Sequence, residues 1–180
     1  MKGEKQLDTA RDRVVESIAK NMSLYGVAPS IGMIYGTLYL SDEPMTLDHL
    51  KDELQMSKTS MSTGVRTLMD LTFIEKVWKK GERKDLFQFK DDWYQNFLDF
   101  FAGQLRKGSQ LNLEAMAKSK EELENALQEN LSNDEKERAK FYLERINYAM
   151  EYYEWLEKVV DLFESKEIFD VIEEREKAKI

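Results

Sequence analysis

The amino-acid sequence predicts a mainly α-helical protein that carries one small β-hairpin, and three observations support that class. Apolar residues recur at intervals of three and four through most of the 180-residue chain, the spacing that lines one face of a helix. Only 8 Gly and 2 Pro occur, and no Pro follows Pro44, so residues that break helices are scarce. Between Phe73 and Phe89 the period changes and β-branched and aromatic residues take over, as strands require. A chain of this length, 42% hydrophobic, can bury one good core but is short for two independent enzyme domains.

The first helix is expected from Leu7 to Tyr25, where Val14, Val15, Ile18, Met22 and Tyr25 fall at helical spacing before Gly26 to Pro29 stop it. A second runs from Ser30, a good N-cap, to Leu40, and Ser41-Asp42-Glu43-Pro44 ends it. Thr46 caps a short helix containing Leu47, Leu50 and Leu54. Gln55-Met56 then make a tight connection, and Ser57 caps a helix from Lys58 to about Leu71. Met61, Val65 and Leu68 form its stripe for burial, while Thr59, Ser62, Thr63 and Arg66 repeat on the opposite side as a small, hydrogen-bonding face.

Phe73 to Trp78 and Leu86 to Phe89 read as the two arms of the hairpin, with Lys79, Lys80, Arg83 and Lys84 at its tip. From Asp92 the chain turns helical again, Trp93, Phe97, Phe101 and Leu105 being spaced by four, with Gly108-Ser109 read as a kink or short linker. Leu111 to Leu131 is helical and charged. Ser132 and Glu135 form a capping-box start for a long helix. Along it Tyr142, Ile146, Ala149, Tyr153, Leu156, Val160 and Phe163 alternate steps of four and three, a heptad seam that implies a coiled-coil-like partner helix. After about Asp170 the apolar signal ends and a frayed terminus is expected.

Composition removes several classes of function. The chain has no Cys, which excludes disulfides, thiolate metal sites and cysteine nucleophiles. His49 is the only His, so a transition-metal site would need carboxylates alone. No Gly-rich phosphate loop follows a strand and no Ser sits in a Gly-x-Ser-x-Gly elbow. The Glu-rich stretches 121–124 and 151–157 read as solvated helix faces. No catalysis, cofactor or metal is expected. The weakly polar run Ile31 to Leu40 is too short to span a bilayer, and Met1 to Asp12 lacks a signal h-region, so a cytoplasmic protein without a membrane partner is expected.

The formal net charge of −8 is unevenly distributed. Residues 109–180 carry 11 basic and 19 acidic side chains, so residues 1–108 balance at 16 of each. From Ser57 to Lys84, seven Lys and Arg face three acids, a local basic island. Helix, tight turn, helix with a polar outer face and basic-tipped hairpin make up the physical recipe of a winged helix-turn-helix. A helix fits the major groove of double-stranded DNA, so Ser57, Lys58, Thr59, Ser62, Thr63 and Arg66 are the candidate readers. Arg66 suits guanine or phosphate equally. Lys79, Lys80, Arg83 and Lys84 would set positive charge on the backbone or, at the tip, in the minor groove. A winged helix that docks only on protein is the alternative reading.

The residues that carry a family likeness are Ser30-Ile31-Gly32-Met33-Ile34-Tyr35-Gly36-Thr37-Leu38-Tyr39-Leu40, then Met56-Ser57-Lys58 with Ser62 and Arg66, then Lys76-Val77-Trp78-Lys79-Lys80-Gly81-Glu82-Arg83-Lys84. Across residues 10–105 the chain resembles the GbsR-type branch of the MarR-like repressors. The wing is the most specific part, because ordinary MarR-like wings carry an Asp-x-Arg pattern; Met33 stands where members often have Arg. The resemblance implies a homodimeric repressor of genes for making or importing glycine betaine from choline, with choline or glycine betaine as effector.

A quaternary ammonium cannot donate hydrogen bonds and is held by aromatic faces. In MarR-like folds the pocket lies between the reading lobe and the dimer helices, which points to Tyr25, Tyr35, Trp93, Tyr94, Phe97 and Phe100. The organisation that follows is an N-terminal dimerisation helix at 1–29, a winged helix-turn-helix at 30–91, and C-terminal helices for dimerisation and effector binding at 92–180.

Overall fold

A computed structural model describes residues 2–178. The chain divides into two compact units, the first ending at Asn96 and the second beginning at Phe97.

The first unit opens with α1 (Lys2–Ser23) and α2 (Pro29–Tyr39), which pack closely because one face of α2 is nearly without side chains. A Cβ at Gly32 would stand 2.6 Å from the Ala19 Cα, and one at Gly36 would stand 3.0 Å from the Val15 Cα, so the two backbones touch where any larger residue would part them. The expected N-cap at Ser30 is not used. Pro29 already occupies the first turn and Ala28 is the N-cap, without a side-chain bond; the fixed φ of proline starts a helix without one.

β1 (Met45–Thr46) leads into α3 (Leu47–Leu54), and α4 (Lys58–Asp70) follows. Both expected caps form: Thr46 Oγ1 accepts the His49 N–H and Ser57 Oγ accepts the Ser60 N–H, each at 3.1 Å. Gln55 closes α3 in the left-handed region at φ 52°. Met61, Val65 and Leu68 are buried with Ile34, Leu38 and Leu50, and each such side chain contributes about 1.5–3 kcal/mol by leaving water.

The hairpin is β2 (Ile74–Val77) and β3 (Leu86–Phe89), paired antiparallel with Val77 opposite Leu86. β1 adds a third strand on the far side of β3, with Met45 opposite Phe87. Two residues are too short for a period to show, so β1 leaves no signal in the sequence. The strand ties the segment before α3 to the base of the wing.

α5 (Trp93–Ala126) begins in the first unit and supplies the first helix of the second, followed by α6 (Asn133–Glu164) and α7 (Glu167–Lys177). Three expectations are corrected here. Gly108 and Ser109 lie inside an unbroken helix: Ser109 is fully buried and Asn112 Nδ2 donates to the Gly108 carbonyl at 2.8 Å. Helix α5 stops at Ala126 instead of reaching Leu131, and turns fill the gap to Ser132. The terminus past Asp170 is helical to Lys177, after a break at Lys166, φ 65°.

The capping box at Ser132 forms as expected, with Ser132 N–H donating to Glu135 Oε2 at 2.8 Å. Of the heptad seam of α6, Val160 is fully buried and Tyr142 is exposed, and at its C-terminal end the partner is α5 of the same chain. Arg106 on α5 bonds Glu157, and reaches Asp161 Oδ1 at 2.8 Å and Glu164 Oε2 at 2.7 Å; the Phe97 and Phe163 rings lie 6.4 Å apart. Once the turn after Ala126 reverses the chain, the nearest apolar stripe is its own. No described helix is long and apolar enough to cross a membrane.

Candidate DNA interface

Helix α4 presents its polar side outward. Lys58, Thr59, Thr63 and Arg66 are exposed, whereas Ser62 is half-buried beside Met61 and Val65. Ser57 is exposed but spends its hydroxyl on the cap and on a 2.9 Å contact with Ser60 Oγ. The outermost reading side chains are therefore Thr59, Thr63 and Arg66.

The wing turn is built by Glu82. Its Oε1 accepts the backbone N–H of Arg83 at 3.0 Å and of Lys84 at 3.1 Å, bonds that hold its carboxyl below the ordinary value. Gly81 takes φ +92°, a conformation that favours glycine. Lys79, Lys80, Arg83 and Lys84 are all exposed on this turn, and Lys79, Arg83 and Lys84 line a depression bounded also by Trp78.

Two acids preceding α4 neutralise part of this charge, and the sequence reading missed both. Lys84 Nζ lies 2.8 Å from Asp48 Oδ2, and Lys58 Nζ lies 3.3 Å from Asp48 Oδ1. Lys79 Nζ lies 2.9 Å from Glu43 Oε2. The hydrogen bond from Lys84, and then that from Lys58, hold the Asp48 carboxyl below the usual range, and Asp48 raises Lys84 in return. Lys79 lowers Glu43 likewise. Among the described residues the side chains of Arg66, Lys80 and Arg83 make no ion pair, which leaves them the freest cations of the set. No local sequence signal marks these pairs, because 36 residues separate each wing lysine from its acid. Trp78, 80% exposed, is a further wing side chain that sequence reasoning left unassigned.

The six aromatic residues expected to line an effector pocket divide between the units, Tyr25, Tyr35, Trp93 and Tyr94 in the first and Phe97 and Phe100 in the second. Tyr35 and Trp93 meet, ring centroids 5.6 Å apart, in a cluster completed by Tyr39, Phe73 and Phe89 with neighbouring centroids 4.9–5.6 Å apart. Rings at that spacing touch one another and admit no ligand between them. Tyr35 is buried and its phenol is pushed up to about 12, desolvation outweighing the hydrogen bond from Asn96. Asn96 Nδ2 donates to that hydroxyl at 3.4 Å and to the Lys90 carbonyl at 3.0 Å. Trp93 and Tyr94, the latter 73% exposed, keep open ring surface at the start of α5. Tyr25 is exposed after α1; Phe97 and Phe100 belong to the second unit, exposed and buried respectively.

A recognition helix capped by Ser57, a three-stranded sheet and a cationic wing drawn to the same carboxylate define a winged helix-turn-helix regulator. Comparisons with known proteins narrow the class. A family model described as the C-terminal helical hairpin of GbsR family transcriptional regulators matches residues 93–170. The HTH-type transcriptional repressor GbsR of Bacillus subtilis (strain 168) is 39% identical over 167 residues, 92% of each chain. The repressor OpcR of the same organism is 35% identical over 164 residues, 91% of this chain and 89% of its own. A solved structure of a transcriptional regulator aligns with a TM-score of 0.49 at 18% identity, covering 87% of this chain and 99% of the other. The chain belongs to the GbsR family: it is a transcriptional repressor and not an enzyme.

Proposed function

We propose that this repressor binds a pseudo-palindromic operator as a homodimer in the cytoplasm and is controlled by a small quaternary-ammonium ligand, choline or glycine betaine, over genes of osmoprotectant synthesis or uptake. The observation that carries the DNA reading is the carboxylate of Asp48, which takes Lys58 at the start of α4 and Lys84 of the wing together. Two cationic elements that share one counterion face the same way, as a duplex requires. Thr59, Thr63 and Arg66, with Ser62 behind them, address the major groove. Lys80 and Arg83 address phosphates, and Lys58, Lys79 and Lys84 join them as DNA displaces their acids. Two copies present two such heads to half-sites roughly 34 Å apart.

The ligand reading rests on the family likeness and on aromatic surface that stays open. Trp93 and Tyr94 offer ring faces for cation–π contact, and Tyr35 holds Trp93 edge-on from behind. The ligand regulates only insofar as it prefers one arrangement of the reading heads. Dimer contacts fall to the N-terminal helix and to the helices after residue 92.

Two measurements test this. Retention on random duplex DNA at low salt, lost at high salt, with tighter binding to the operator is expected; no retention at either salt would assign the winged helix to protein docking instead. Titration of tryptophan fluorescence with choline and with glycine betaine should saturate, and should not in Trp93→Ala; an unchanged titration in that variant removes Trp93 from the site.

A further inference from the structure

The seam of α6 that packs on α5 is not its only heptad face. One residue earlier in register, Phe141, Arg145, Tyr148, Tyr152 and Trp155 again alternate steps of four and three. In the single chain this face is bare: Tyr148 is 72% and Trp155 57% exposed, and Phe141 and Tyr152 are exposed as well. Arg145 caps the Phe141 ring at 5.3 Å and makes no ion pair among the described residues. Aromatic rings in such a row are costly to leave in water and mark a contact surface.

The order of residues along the face identifies what covers it. Counted outward from Tyr148, Arg145 and Glu151 stand three residues to either side, Glu144 and Tyr152 four, and Phe141 and Trp155 seven. In an antiparallel pair of identical helices crossing at Tyr148, each residue meets the one equally far on the other side of the centre. Arg145 then meets Glu151, Glu144 can accept the hydroxyl of Tyr152, and Phe141 meets Trp155. Glu144 and Glu151 lie on the flank of the stripe, where coiled-coil charges sit, Arg145 reaches Glu151 from within it, and rings fill its other positions. Arg138 and Lys158, ten residues out, are the like-charged match, and being exposed they are screened by salt. A two-fold interface requires this self-complementarity of one patch with itself.

We propose that a second copy of this chain docks antiparallel on the Phe141–Trp155 face of α6, with the two-fold axis at Tyr148. The proposal rests on the homodimer reading above and specifies its surface. Contact over the seven residues on each side of the centre spans about 21 Å of helix. Because α5 occupies the neighbouring seam, each α6 lies between its own α5 and the partner's α6.

The test uses the full-length chain and its natural lack of Cys. Sedimentation equilibrium of the wild type should give a dimer. Tyr148→Glu should shift it to monomer with unchanged helical circular dichroism, since the residue is exposed. Arg145→Glu should weaken the dimer at least tenfold, and Arg145→Glu combined with Glu151→Arg should restore it, which an unfolded variant could not do. Under mild oxidation Tyr148→Cys should give a covalent dimer, the two Cys meeting at the axis. A wild-type dimer that survives Tyr148→Glu and gives no disulfide from Tyr148→Cys would overturn the surface and leave the homodimer intact. A wild type that stays monomeric with and without operator DNA would overturn both.

Discussion

Asp48 Oδ2 lies 2.8 Å from Lys84 Nζ, so the acid in the first turn of α3 anchors the descending arm of the wing. The same carboxylate reaches Lys58 through its other oxygen at 3.3 Å, and Glu43 holds Lys79 on the ascending arm at 2.9 Å. In the free protein half of the wing's charge is spent on the protein itself. Arg83, whose backbone N–H is fixed by Glu82 while its guanidinium makes no ion pair among the described residues, needs no acid displaced before it meets a phosphate.

Replacing Asp48 by Asn should therefore strengthen binding to random DNA more than binding to the operator. Two lysines then meet phosphate without first giving up an acid, so the gain in affinity should be largest at low salt. Fluorescence anisotropy across a salt series measures it, and an unchanged affinity for random DNA would mean that Lys58 and Lys84 never touch the backbone.

Arg83→Ala and Arg66→Ala should behave differently. The first should lower affinity for operator and random duplex alike and flatten the salt slope by about 1 per half-site. The second should change the ranking of operator variants, by about 1–3 kcal/mol if Arg66 meets a guanine. Equal losses on every sequence for both would place Arg66 on phosphate.

Gly32→Ala should destabilise the α1–α2 pair, because its Cβ would stand 2.6 Å from the Ala19 Cα and backbone cannot give way cheaply. A cost of about 1–3 kcal/mol is expected, or about 2–4 °C of melting temperature per kcal/mol. Gly103→Ala, with nothing within 4 Å of the new Cβ and a mid-helix position, should instead stabilise by about 0.5–1 kcal/mol. Thermal unfolding of the two variants should shift in opposite directions.

Ser132→Ala should cost about 1 kcal/mol by opening the start of α6. Ser132 holds the Glu135 carboxyl below its ordinary value of 4.5, so the carboxylate's share of the cap is complete above that pH. Acid removes it as the pH falls through the lowered folded value. The gap in stability between wild type and variant should stay constant above about pH 5 and narrow below it; a gap that widens on acidification would contradict the bond.

Much of this structure follows from short-range chemistry. Thr46, Ser57 and Ser132 could be named as caps because a hydroxyl two or three residues ahead of a free N–H acts locally. Met61, Val65 and Leu68 could be assigned to the core because period alone decides which face a helix buries. The effector residues were less legible. Tyr35 and Trp93 do meet, but aromatic character is the same for a packed cluster and for an open cage, and only ring spacing separates the two. The kink expected at Gly108 did not form because Ser109 is packed on every side and the buried face holds the helix straight.

Sequence alone determined the order of elements, the capped recognition helix, the basic wing and the family. All of these are written in adjacent residues, where spacing and side-chain chemistry suffice. Tertiary structure decided which of the basic residues are free and which helix fills the first seam of α6. The pairs Lys84–Asp48 and Lys79–Glu43, and the grip of Arg106 on Glu157, Asp161 and Glu164, join residues far apart in the chain. Electrostatic attraction falls off with distance in space, and folding alone sets that distance.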